Sequence, residues 1–193
     1  MSYEEKRVRV KEIGRLKADS PLLVVIPSAI AGKEMKLHVL AAAALSTMNH
    51  AAHADLGFAL AAASGFRPHR WKSRADYEQT MVKKYGSVAE GKKWMAYESP
   101  HETGLAIDFG VGGLEPKRAT VIAQRKTPLH QWLVTNAWRF GWHPYKNEPW
   151  HWEYPIPQIA WQSGNPNDLS KPEPVGPLSF DPDLDDYIED VFE

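Results

Sequence analysis

Residues Ser99–Gly110 read SPHETGLAIDFG. They set His101 and Asp108 seven positions apart with Gly104 between them, in a stretch too irregular for a helix. After Gly104, Leu105 and Ile107 alternate with Ala106 and Asp108, the period of a strand. A loop that runs into a strand in this way lets His101 on the loop and Asp108 on the strand face one point. A core histidine paired with a nearby carboxylate leaves the same trace, so this pair alone does not decide between a metal site and a buried ion pair.

The chain has 193 residues, 43% of them hydrophobic, which suits one ordinary core. It contains no cysteine, so disulfides, thiolate nucleophiles and thiolate metal ligands are excluded, and any metal must be held by His, Asp and Glu. The formal net charge of −1 is unevenly spread: residues 171–193 carry Lys171 against eight acidic residues, which leaves about +6 on residues 1–170. A body of that charge suits a polyanionic setting such as nucleic acid or a bacterial cell wall, and is also common in proteins with no such partner. No stretch approaches the roughly 20 apolar residues of a membrane helix, so no membrane span is expected. PLLVVIPSAIAG (Pro21–Gly32) has an apolar part too short for a leader and is closed by Pro27, so it reads as a buried strand.

Outward from the opening stretch, the Ala-rich segment Lys36–Gly57 predicts a helix that stops at glycine. Phe58–Arg67 predicts a strand delivering SGFR to a turn. Ser73–Gly86 predicts a second helix, capped by Ser73 and ended by Gly86. Thr127–Gly141 is the clearest helix, with Pro128 at its first position and Leu129, Trp132, Leu133 and Trp138 at helical spacing. Gly141–Pro155 predicts two short strands around a turn at Tyr145–Pro149. The expected organisation is a body over residues 1–170 and an acidic, Pro-rich tail over 171–193, either disordered or a docking segment for a protein partner.

The stretch EPWHWEY, Glu148–Tyr154, changes the weight of the first pair. A glutamate three positions before a histidine offers a general base beside a metal ligand, and two histidines with one carboxylate and an open position are a standard set for catalytic zinc. Strict alternation would send Glu148 and His151 to opposite faces, and Pro149 relieves this if Glu148 lies in the turn and His151 in the strand.

With these residues in hand, the chain resembles the zinc D-Ala-D-Ala carboxypeptidase family, comprising VanY-like D,D-carboxypeptidases, D,D-dipeptidases and phage L-Ala-D-Glu endolysins. Ser99, His101, Gly104, Ala106 and Asp108 match the family's S-x-H-x-x-G-x-A-x-D, Glu148, Trp150 and His151 match its E-x-W-H, and SGFR at 64–67 resembles its S-G-[YF]-R. The three motifs stand in family order from residue 64 to 154.

The resemblance implies an α+β fold with a small, mainly antiparallel sheet flanked by helices, as in the Hedgehog signalling domain. It implies one Zn2+ per chain on His101, Asp108 and His151, Glu148 as catalytic base, and Arg67 holding the substrate carbonyl and the oxyanion. Arg70 is the alternative to Arg67 in SGFRPHRW, and Ser99 orients substrate or supports the loop. Position 153 is Glu where several relatives carry Arg, which bears on the charge of the pocket's outer wall. His38, His50, His53, His69, His130 and His143 stand outside any motif and read as surface or core histidines. Most of the eight tryptophans read as core, with Trp152 or Trp161 as candidate rim contacts.

The expected function is hydrolysis of an amide bond in peptidoglycan stem peptides, as a D,D-carboxypeptidase or an endopeptidase of the endolysin type, with no nucleic-acid partner. The protein is expected to be made in the cytoplasm and to act on the cell wall, endolysin-like or exported by another route. Two other classes stand beside it: a zinc-containing binding module without turnover, and a phage or injection-particle component addressed by its tail. Glu148 discriminates, because a domain kept only for binding needs no base beside its metal.

Overall fold

The alternating run after Gly104 becomes β4 (Ala106–Phe109) in a computed structural model that describes residues 10–92, 95–110 and 114–171. β4 is an inner strand of a four-stranded antiparallel sheet, ordered β3 (Ala62–Ser64), β4, β6 (Glu148–Glu153), β5 (His143–Tyr145). Its register sets Asp108 opposite His151 and Ala106 opposite Glu153, so these four share one face. Ile107 faces Trp152 on the other side, and both are core residues with Phe109, Leu133 and Trp142. Full burial of such apolar side chains stabilises the fold by roughly 1.5–3 kcal/mol each. The face carrying Asp108 and His151 is thereby backed by rigid packing.

A second, two-stranded antiparallel sheet pairs β1 (Leu23–Ile26) with β2 (Met35–His38). The segment Pro21–Gly32 therefore contributes a strand over Leu23–Ile26, but half-buried and not buried, because a two-stranded ribbon leaves one face to solvent and Val25 is 62% exposed. The expected helix from Lys36 also begins later. Met35–His38 is strand, and α1 runs Val39–Leu56. His38 makes the junction: its Nδ1 accepts from the Leu40 amide at 3.2 Å, and its Nε2 lies 2.9 Å from the Trp161 carbonyl. Both ring nitrogens are used, and burial lowers the His38 pKa, which together favour the neutral ring that this cap needs.

α4 (Val121–Arg125), α5 (Pro128–Asn136) and α6 (Gln158–Ser163) complete this unit, which comprises the described residues up to His69 with those from Glu98 to Lys171. Thr127 caps α5 as expected, and Leu129, Trp132 and Leu133 are buried. The last turn tightens to 3-10 over Ala137–Phe140, which breaks the helical spacing and leaves Trp138 48% exposed. The described residues from Arg70 to Tyr97 form a second compact unit, which the sequence did not separate. It holds α2 (Arg74–Tyr85), bounded by a Ser73 cap and left-handed Gly86 as expected, and α3 (Val88–Lys92).

Candidate active site

Each motif has a local structural cause. Ser99 caps a 3-10 turn over Pro100–Thr103, and Glu102 closes the capping box by accepting from the Ser99 amide at 3.2 Å. The Glu102 carboxylate is also met by Arg15 Nε at 3.0 Å and His69 Nδ1 at 2.9 Å, so the turn that carries His101 is pinned from three sides. Gly104 leaves the turn at φ +73°, and a Cβ there would lie 2.9 Å from the His38 amide nitrogen, so both conformation and space demand glycine.

The SGFR segment closes on the same turn. His101 Nδ1 donates to the Gly65 carbonyl at 2.7 Å, and the Arg67 amide donates to the His101 carbonyl at 3.2 Å. Gly65 is itself required, since a Cβ there would meet the Lys36 carbonyl oxygen at 2.5 Å. With Nδ1 occupied, His101 presents Nε2. That atom is buried, lies 3.3 Å from Asp108 Oδ1 without the alignment of a hydrogen bond, and has no hydrogen-bond partner among the described residues.

On β6, His151 turns Nδ1 toward Asp108 Oδ1 at 2.9 Å and Nε2 toward Glu153 Oε1 at 3.1 Å. His101, Asp108 and His151 are all buried, and one ligand atom from each lies within 4.8 Å of the others. Among the described residues these three form the group that could hold a metal ion. A buried imidazole nitrogen with no partner, a carboxylate oxygen and a second imidazole nitrogen fit a divalent cation of the zinc type.

The electrostatics follow from burial and from the charges enclosed. Burial is the largest influence on His101 and lowers its pKa, against an opposing pull from Asp108, so the ring is neutral and available as a ligand. Burial opposes ionisation of Asp108, but the neighbouring His101 ring and the hydrogen bond and charge of His151 outweigh it and hold the carboxyl well below the usual range. Burial also works against a charged His151, yet hydrogen bonds to Asp108 and Glu153 push its pKa up to about 9. Without a metal, a proton on His151 neutralises part of the negative charge of two buried carboxylates.

Glu148 is half-buried at the start of β6. It is not in a turn. The register between β5 and β6 shifts, with Pro144 opposite Trp152 but Tyr145 opposite Glu148, so that Pro149, Trp150 and His151 bulge from the ladder. Pro149 has no amide hydrogen to give that ladder, and the bulge breaks the alternation that would have separated Glu148 from His151. Burial, reinforced by the Asp108 charge, raises the Glu148 pKa against opposing pulls from His151 and Arg67.

Arg67 is exposed, and its charge is felt at both His101 and Glu148, where it lowers proton affinity. Arg70 belongs to the second unit, where its guanidinium stacks 4.2 Å over Trp71 and Nη2 reaches Met95 Sδ at 3.4 Å. Ser99 accepts from the His101 amide at 3.4 Å, a contact within the loop. Neither Trp152, 1% exposed, nor Trp161, 8% exposed, is a rim contact: Trp152 packs on the core face, and the Trp161 indole donates to the Thr103 carbonyl at 2.9 Å. Glu153, 4% exposed, is not on an outer wall either. Its inward position was readable from its two-residue spacing to His151, which puts both on one strand face.

The family model for VanY, D-alanyl-D-alanine carboxypeptidase, matches residues 34–158. The chain belongs to that family. It is thus a peptidase, and the matched span contains the SGFR, Ser99–Asp108 and Glu148–His151 stretches. Among solved structures, the LdcB LD-carboxypeptidase, described with the basis of its peptidoglycan recognition, is similar at 29% identity and a TM-score of 0.56, covering 78% of this chain and 75% of that one. A vancomycin-resistance D,D-pentapeptidase VanY variant in complex with Zn(II) is similar at 22% identity and a TM-score of 0.46, covering 78% of this chain and 89% of that one. VanYB in complex with D-alanine-D-alanine matches at 22% and 0.45, covering 77% and 84%. No curated protein matches the chain in sequence. The VanY-type fold agrees with the α+β architecture expected from the sequence. Among the described residues no helix is long and apolar enough to cross a membrane. Residues 172–193, most of the acidic tail, lie outside the described residues.

Proposed function

We propose that the protein removes the C-terminal residue of a peptidoglycan stem peptide, with one zinc ion held by His101 Nε2, Asp108 Oδ1 and His151 Nδ1. The observation that carries the reading is the convergence of these three buried atoms beside a half-buried glutamate whose pKa is raised. Bound there, zinc supplies Lewis acidity, which makes water a nucleophile near neutral pH and polarises a carbonyl. Glu148 takes the proton from the attacking water and returns it to the leaving amine, a task for which a pKa nearer neutrality than an ordinary glutamate is suited. Arg67 supplies a fixed positive charge at the mouth of the site, where it holds the substrate carbonyl and the oxygen on which negative charge develops. Ser99 keeps the His101 turn in place. Membership of the VanY family and the likeness to an LD-carboxypeptidase support exopeptidase over endopeptidase action.

Arg67→Ala is expected to retain zinc and to lose about 100-fold or more in kcat, the effect of removing one oxyanion partner. Arg70→Ala made in parallel is expected to remain active. An active Arg67 variant beside an inactive Arg70 variant would move the role to Arg70.

Digestion of purified peptidoglycan followed by mass analysis tests the reaction itself. Loss of single terminal D-alanine residues from stem peptides is the expected product pattern. Release of internal fragments, with termini left whole, would replace the carboxypeptidase reading by an endopeptidase one.

A further inference from the structure

The two histidines of the cluster are held by different means. His101 gives its spare nitrogen to a neutral backbone carbonyl, that of Gly65, whereas His151 gives its own to the carboxylate of Glu153 at 3.1 Å. Glu153 is buried, shares the strand face of His151 and Asp108, and stands opposite Ala106 on β4 and His143 on β5. Burying a carboxylate is costly unless it is paired, and here an imidazole nitrogen lies within hydrogen-bond reach.

We propose that Glu153 is a positioning residue for the metal centre. Its carboxylate accepts from His151 Nε2–H, fixes the proton on that nitrogen, and leaves the Nδ1 lone pair for the metal position shared with His101 Nε2 and Asp108 Oδ1. Without it, a half-turn of the ring about its Cβ–Cγ bond would put the carbons Cδ2 and Cε1 where the two nitrogens stand. The edge contacts to His101, 5.0 Å between ring centroids, and Tyr145, 5.7 Å, limit this motion but do not select a tautomer. A carboxylate also makes the opposite ring nitrogen a stronger electron donor to a metal than a neutral carbonyl does.

This inference rests on the metal reading above, and its test separates the two. Zinc dissociation constants are measured by competition with a chelating dye for the parent, Glu153→Ala and Glu153→Gln, alongside thermal melting of the metal-free forms and exchange of the His151 Nε2–H by NMR. Loss of the carboxylate is expected to weaken zinc binding about 10–100-fold in Glu153→Ala. Glu153→Gln keeps an acceptor without the charge and is expected to recover part of that loss, remaining about 3–10-fold weaker than the parent. The Nε2–H of zinc-loaded protein is expected to exchange faster in both variants. If Glu153→Ala does not fold, Glu153→Gln decides. Zinc affinity equal to the parent's, with only a lowered melting temperature, would make Glu153 a packing residue and overturn its role. A parent protein that takes up no zinc would overturn the metal reading itself.

Discussion

Glu148→Ala is expected to bind zinc as the parent does and to lose hydrolysis by about 10²–10⁴-fold, the usual contribution of a positioned general base. Glu148 is half-buried at the first residue of β6, next to the bulge of Pro149, Trp150 and His151, and truncating it leaves the Asp108–His151 register untouched. The conservative variant Glu148→Gln keeps the shape and should be equally inactive, because an amide cannot accept the proton. In the parent, activity should fall on the acid side through a pKa above the ordinary glutamate value of 4.5, since burial raises the Glu148 pKa and only the ionised form is a base. Parallel zinc analysis and peptide hydrolysis check this. A Glu148 variant with parental turnover would end the assignment of Glu148 as the base.

His151→Ala and Asp108→Ala are expected to lower zinc content from about one per chain to near none, and activity with it. Each removes one of three protein donors, and the survivors cannot complete the set. Zinc should raise the melting temperature of the parent, because an ion that binds only the folded state stabilises it by mass action, and this rise should vanish in both variants. The metal-free variants should also melt lower than the metal-free parent. His151→Ala leaves Asp108 and Glu153 without the imidazole between them, and Asp108→Ala takes the carboxylate from beside both rings. Metal analysis together with melting curves at several zinc concentrations separates the two effects. Full occupancy in either variant would end the assignment of that ligand.

The site was legible where a residue type has one structural use. Gly104 at φ +73° against the His38 backbone, Ser99 as a cap, and the alternation through Leu105–Asp108 all announce themselves in a single chain. The helix signals worked for the same reason at Ser73, Gly86, Thr127 and Pro128. What failed depends on distant partners. Lys36–His38 reads as the start of an Ala-rich helix, and it belongs to the strand Met35–His38 because that segment pairs with Leu23–Ile26, with a histidine taking the cap. Likewise, Phe58–Arg67 yields only Ala62–Ser64 as strand, the part that meets β4. Glu148 was placed in a turn because a bulge has no signature apart from Pro149. The burial of Trp152 and Trp161 is set by tertiary packing, which hydropathy alone does not encode for aromatic residues.

The central claim is that the His101, Asp108, His151 cluster holds one zinc ion and that hydrolysis depends on it. The direct measurement starts from chelator-stripped protein, adds zinc in steps, and follows bound metal and cleavage of a stem pentapeptide ending in D-Ala-D-Ala on the same samples. Cleavage is expected to be absent at the start, to rise in proportion to bound zinc, and to level off at about one equivalent per chain. Cleavage by the stripped protein, or cleavage that does not track the zinc bound, would contradict the account.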